Sequence, residues 1–181
     1  MLKSIIMNYL RGKRVYLSSP IENLSTQESL SFNHWRSNLE KFLNNLGVVI
    51  FDPAADPKQQ WAPKLREMRE SCDYDGMHEI SFKFVRKDLQ SVGHSDFLIA
   101  YLPYKTPTTG VTHEIILSNT NKNPTILYCP QGKQFISFWY YGFINHKYMF
   151  GEQDKLFQYL QDVDNGIHKD DDRWWFAYDL I

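Results

Sequence analysis

Two hydrophobic periods alternate along this chain, and their order reads as strand, helix, strand. Residues 14 to 20 begin with the β-branched and aromatic positions Val15, Tyr16 and Leu17 and give way to Ser18, Ser19 and Pro20, the pattern of a short buried strand entering a turn. Ser25 and Glu28 have the spacing of a capping box. Phe32, Trp35, Leu39, Phe42, Leu43 and Leu46 then recur at three- and four-residue steps, which predicts an amphipathic helix. Gly47 stands at its C-cap position, and the apolar run of residues 48 to 51 follows as a buried strand stopped by Asp52 and Pro53. A βαβ unit is complete at that point.

The pattern loosens between residues 54 and 75, where Pro57 and Pro63 break any long helix and the charged residues 64 to 70 suit a solvated surface helix. Ile80, Phe84, Val85, Leu89 and Val92 predict a second amphipathic helix, which carries Asp88. Residues 97 to 102 predict a third strand, with Asp96 as a structural residue at its start. A loop over residues 103 to 110 leads to a helix near residues 113 to 121 and then to a fourth strand over residues 124 to 128. Strands and helices alternating in this way imply an α/β fold with a parallel sheet. Residues 135 to 150 are rich in aromatic side chains, and residues 153 to 163 predict a further helix. The final nine residues are too apolar to trail in water and are expected to pack on the body or on a second subunit. No repeat or linker divides the chain, which reads as one domain over residues 1–181.

Length agrees with that reading, since a chain of 181 residues buries roughly 70% of the surface its unfolded form exposes. The aromatic share of 15% exceeds what an ordinary core requires, so some rings are expected to line a pocket or an interface. The formal net charge is -1 and the basic residues are scattered, which argues against long nucleic acids as partners. Cys72 and Cys129 have neither metal-ligand spacing nor further cysteines for a disulfide framework, and the six histidines show no ligand spacing. No metal is expected, and a reducing cytoplasm is the expected compartment. Residues 1 to 10 are too short and too polar to span a membrane, and no small-residue cleavage site follows them.

The candidate chemistry lies in residues 108 to 114. Thr108, Thr109 and Gly110 form a hydroxyl- and glycine-rich turn whose backbone N–H groups can approach a sugar or phosphate, and Glu114 one turn later points back toward the same crevice. A structural alternative stands beside this one, because a Glu in the first turn of a helix also stabilises the helix dipole. In a doubly wound sheet, ligands sit beyond the carboxyl ends of the strands. There Ser18, Ser19 and Pro20, then Asp52 and Pro53, then residues 108 to 114 would converge. Asp52 either stops its strand or touches a ligand edge.

In that order the segments resemble the nucleoside 2-deoxyribosyltransferase family. The resemblance rests on residues 16 to 20, on the helix carrying Asp88 that leads to Ser95, Asp96 and an apolar strand, and on Gly110 with Glu114. It is similar in particular to bacteriophage-type variants, which carry a Trp/Tyr-Gly stretch and an Arg-Trp-rich C-terminus, as at residues 139 to 142 and at Arg173 and Trp174. It covers a core of about residues 13–130, with residues 131–181 as an aromatic C-terminal extension.

The resemblance implies a flavodoxin-like sheet of about five strands and cleavage of an N-glycosidic bond without any cofactor. It implies Glu114 as the nucleophile, Asp88 as the acid that serves the base or the sugar edge, and Ser18, Ser19 and Pro20 as the loop around the substrate. It also implies a homo-oligomer. Breaking the bond between C1′ and a base builds positive charge on the sugar, which a carboxylate can stabilise and then trap, as in retaining glycosidases.

Base-exchanging members carry an acidic residue six positions before the nucleophile. This sequence has Thr108 there, and the related nucleotide N-glycosidases often have a hydroxyl at that place, which contacts a 5′-phosphate. The first loop lacks a basic side chain for such a phosphate, a part that Arg86, Lys87 or Lys105 would have to take. The expected activity is therefore transfer or hydrolysis acting on a 2′-deoxynucleoside or its 5′-monophosphate. A non-catalytic nucleotide-binding module of the same fold is the alternative from another class.

Overall fold

The computed structural model describes residues 8–20, 26–55 and 61–178, and the expected capping residue Ser25 lies outside them. Strands β1 (Arg14–Ser18), β2 (Val49–Phe51), β3 (Phe97–Tyr101), β4 (Thr125–Tyr128) and β5 (Met149–Phe150) form a single parallel sheet in the order β2-β1-β3-β4-β5. The chain moves outward from β1 to β2, returns past β1 to β3 and continues to β5. The direction of winding therefore reverses between β1 and β3, which opens a crevice at their carboxyl ends.

Helices cover both faces of the sheet. On one side α1 (Thr26–Asn45) packs against α6 (Gln153–Asp164), with the rings of Phe42 and Phe157 stacked 4.4 Å apart. On the other lie α3 (Tyr74–Gly93) and α4 (Thr109–Thr120), with α2 (Trp61–Glu70) against α3. Strand register decides which residues meet which layer. Tyr16 lies beside Phe51 and Leu98, and Ser18 beside Ala100. Because side chains alternate along a strand, Tyr16 and Ser18 share the α4 face, while Val15 and Leu17 face α1. Thr125, in register with Leu98, accordingly bonds Ser118 of α4 at 3.0 Å. Tyr101 and Tyr128, on the opposite face, meet the Trp35 ring of α1 at 4.8 and 5.2 Å.

The amphipathic pattern of α1 is realised, since Phe32, Trp35, Leu39 and Leu43 are buried. Truncating Leu39 to Ala would cost about 2–5 kcal/mol. The helix ends in a Schellman motif, in which Gly47 N–H donates to Asn44 and Val48 N–H to Leu43, both at 3.0 Å. That motif needs a left-handed residue, and Gly47 supplies it with φ +74.

Four features depart from the sequence reading. β2 was expected to be buried, but it is the sheet's edge, with Val49 and Phe51 47% and 36% exposed. The charged surface helix expected over residues 64 to 70 begins earlier, at Trp61, because Pro63 sits in the first turn of α2, where its missing N–H has no intrahelical partner to lose. α3 starts at Tyr74 rather than near Ile80, capped by Asp73, whose carboxylate accepts the Gly76 N–H at 2.9 Å. β5 comes from within the aromatic stretch, so residues 131–181 contribute a strand to the sheet.

The described part of the C-terminal segment, as far as Tyr178, packs on the body. Trp174 is fully buried, its indole N–H donates to the Tyr159 hydroxyl at 2.8 Å, and its ring meets Phe97. Asp96 is structural, as expected. It accepts the Arg14 N–H at 2.7 Å and the Arg14 guanidinium at 3.3 Å, joining the amino ends of β1 and β3 on the side away from the crevice. Among the described residues no helix is long and apolar enough to cross a membrane, no His, Cys, Asp or Glu cluster suits a metal, and both cysteines are free.

Candidate active site

α4 turns one face to the sheet through Val111, Glu114, Ile115 and Ser118, all buried, at helical steps of three and four. Glu114 thus occupies a core position with only 9% of its surface exposed. It is the sixth residue of the helix, beyond the first turn, so stabilisation of the helix dipole does not account for it. Burying a carboxylate costs several kcal/mol unless polar partners replace its water. β1 provides them. The Tyr16 phenol donates to Glu114 Oε1 at 2.7 Å, and the Ser18 hydroxyl donates to Oε2.

The two donors follow from the period of a strand. Residues 16 and 18 project from the same face of β1, and both are buried. Burial first, then the negative charge of Glu114, and after it those of Asp88 and Asp52, push the Tyr16 phenol far above the ordinary tyrosine value. It therefore remains a protonated donor throughout the range in which the protein would operate. The charges of Asp88 on α3 and of Asp52, just past β2, are thus felt at Tyr16, while Glu114 alone of the three is its hydrogen-bond partner here.

Asp52 is further held from α1. The Arg36 guanidinium donates to its carboxylate, and Glu40, one turn further along, lies 3.2 Å from the same guanidinium. Burial, followed by a hydrogen bond to Asp52, raises the Glu40 carboxyl above its usual value against the pull of Arg36. Glu40 thus carries its proton into a pH range where an ordinary Glu has lost it.

Ser18, Ser19 and Pro20 all lie buried at the carboxyl end of β1. Of the three, Ser18 has an identified task, holding Glu114. The expected turn at residues 108 to 110 is in fact the start of α4. Thr108 occupies the N-cap position without a side-chain capping bond, and Thr109 and Gly110 are the first two helical residues, both exposed. A Cβ added at Gly110 would meet nothing within 4 Å, so the space there is open to a ligand. The loop leading to it is fastened across the crevice by the Thr106 hydroxyl, which donates to Glu28 of α1 at 3.1 Å. His113 points outward, as its place next to a sheet-facing residue requires.

Sequence reasoning gave Tyr16 no role and did not foresee the Arg36, Glu40 and Asp52 chain. The signal for Tyr16 was its two-residue offset from Ser18 at the carboxyl end of an expected strand. Arg36 and Asp52 are brought together by the packing of α1 on the sheet, which no local pattern reports.

No family model matches the chain, and no curated protein does. Its fold resembles that of a 2-deoxyribosyltransferase from the psychrotolerant bacterium Bacillus psychrosaccharolyticus, with a TM-score of 0.55 and 21% identity over 84% of this chain and 90% of that one. A CMP N-glycosidase from Clostridium botulinum also aligns, with a TM-score of 0.47 and 15% identity over 82% of this chain and 98% of that one.

Proposed function

We propose that this protein cleaves or exchanges the N-glycosidic bond of a 2′-deoxynucleoside or its 5′-monophosphate, through a covalent glycosyl intermediate on Glu114. The observation that carries this reading is the Glu114 carboxylate. It is set into the core stripe of a helix at the crevice between β1 and β3 and gripped through both oxygens by Tyr16 and Ser18. A fold has no need of a charge there, and such exceptions to burial rules concentrate at functional sites.

The chemistry balances with the groups at hand. As the C1′–N bond breaks, its electron pair leaves with the base and positive charge grows on the sugar ring. Glu114 supplies an electron pair to C1′, forming an ester-like bond. Tyr16 and Ser18 hold the carboxylate in one orientation, so that little rearrangement is needed at the moment of attack. Asp88 is assigned the delivery of a proton to the departing base. A water or a second base then attacks C1′ and gives up a proton to the Asp88 carboxylate, the bond to Glu114 breaks with its electron pair returning to the carboxylate, and Glu114 settles back on its two hydroxyl donors.

The sugar's 5′ side is assigned to the start of α4. Thr108 has a hydroxyl unused in capping, Gly110 leaves open space, and the first N–H groups of a helix favour an anion. Asp52, Ser19 and Pro20 are assigned to the rim on the β1 and β2 side. No step calls for a cofactor.

The test is to incubate the protein with deoxynucleosides and their monophosphates, with and without a second free base, and to follow base release and exchange by chromatography. Exchange identifies a transferase and release alone a hydrolase, with Glu114→Ala inactive in either case. Tight nucleotide binding without turnover, retained in Glu114→Ala, would mean a non-catalytic binding module instead.

A further inference from the structure

The structure assigns this chain a second ligand site, a cavity at the amino end of the sheet that fits a small zwitterion with one carboxylate and one ammonium, the charge pattern of a free amino acid. The cavity measures about 370 Å³, within the range of small-molecule sites, and its wall includes Asn119, Thr125, Phe143, Lys147 and Arg173. Thr125 opens β4, and Asn119 lies in the last turn of α4. The crevice that holds Glu114 lies at the carboxyl ends of the strands. The cavity is therefore a separate site and not an extension of that crevice.

The charges of the wall identify the occupant. Asp171 is satisfied within the chain, because it accepts the Tyr148 hydroxyl at 2.6 and 2.8 Å and the Arg173 backbone N–H at 3.2 Å and pairs with Lys147 at 3.0 Å. Lys147 and Asp171 thus cancel. Arg173 is only partly used. Its Nη1 donates to the Asn119 and Asn123 carbonyls at 3.4 and 3.3 Å, a cation at the carboxyl end of α4 where the helix dipole favours it. Nε and Nη2 have no acceptor among the described residues, and no carboxylate pairs with this guanidinium. These two nitrogens form the side-on edge of the group, whose parallel N–H bonds match both oxygens of a carboxylate. Asp170 and Asp172 also line the cavity, are exposed, and pair with no cation among the described residues. Two carboxylates beside one free guanidinium repel a phosphate or a dicarboxylate and hold a cationic group instead. A zwitterion answers both halves of the site, with its carboxylate on Arg173 and its ammonium between Asp170 and Asp172. Phe143 and the Asn119 amide are left to meet its side chain.

Calorimetric titration of the full chain with each of the common L-amino acids in turn tests the proposal. At least one is expected to bind, and its N-acetyl and carboxamide derivatives, each lacking one charge, should bind at least tenfold more weakly. Arg173→Lys, which keeps the charge but not the side-on edge, should cost at least tenfold, as should Asp170→Asn combined with Asp172→Asn. Those two aspartates are exposed, so the second variant decides the matter if Arg173→Lys fails to fold by circular dichroism. Glu114→Ala should bind the same amino acid unchanged, since the crevice is not involved. Absence of binding by every amino acid would overturn the proposal. So would binding that is indifferent to the loss of either ligand charge or to the aspartate variant, or that disappears in Glu114→Ala.

Discussion

The Tyr16 phenol donates to Glu114 Oε1 at 2.7 Å across 98 residues of sequence, joining the third residue of β1 to the buried face of α4. With Ser18 on the other oxygen, the carboxylate is oriented by the sheet itself rather than by a loop. Tyr16→Phe is expected to lower kcat by about 10²-fold with little change in KM, because orientation of the attacking group matters at the transition state. Ser18→Ala should do the same more mildly. The two changes should be non-additive, since either one frees the same carboxylate, and steady-state kinetics of the single and double variants would show this.

Asp88 is assigned to the leaving group, so its removal should be felt in proportion to the leaving group's need for a proton. Asp88→Asn is expected to slow release of an ordinary nucleobase by about 10²–10⁴-fold. It should scarcely affect a deoxyriboside whose leaving group departs as a stable anion. An equal loss on both substrates would remove Asp88 from proton transfer.

The proton on Glu40 makes stability depend on pH. Burial and the hydrogen bond to Asp52 raise the folded-state value above the ordinary one, so the folded protein holds this proton more tightly than the unfolded chain does. The resulting stabilisation is fully present below about pH 4.3, the ordinary Glu value. It is lost as pH rises through the raised one. Glu40→Gln, which keeps a donor for Asp52 at every pH, should therefore gain melting temperature relative to the parent as pH climbs. Thermal unfolding from pH 4 to 8 would reveal the widening gap.

Asp171 behaves in the opposite sense. Burial alone would raise its carboxyl, but the Tyr148 hydroxyl at 2.6 and 2.8 Å and Lys147 at 3.0 Å outweigh burial and hold it below the ordinary value. Its stabilisation is present above about pH 3.9, the ordinary Asp value, and disappears as pH falls through the lower one. Asp171→Asn should cost about 1–3 kcal/mol near pH 7. The difference from the parent should shrink toward pH 2 in denaturant titrations.

Elements with a clear period were legible in the sequence. The stripe of α1, its Gly47 end, the runs that became β1, β3 and β4, and the steps that became α6 were all visible because local side-chain spacing reports burial. β5 was not, since the two residues Met149 and Phe150 are too few to show any alternation and lie among aromatics that would suit a helix equally well. The exposure of β2 depends on strand order, which a sequence with no partner information does not carry. Glu114 was nominated by the turn that precedes it and then, with Asp88, by an ordered resemblance, while Tyr16 went unmarked because a tyrosine in a strand looks like core until the helix above it supplies a carboxylate. The Arg36 contact with Asp52 spans two layers of the fold and has no local signature at all.

The central claim is that Glu114 becomes covalently attached to the sugar, and intact-mass spectrometry of protein rapidly quenched in acid during turnover tests it most directly. The account predicts a gain equal to one deoxyribosyl group, or its 5′-phosphate, that maps to the peptide containing Glu114 and is absent from Glu114→Gln. Turnover with no adduct under conditions where the second step is slow, or an adduct on another residue, would contradict it.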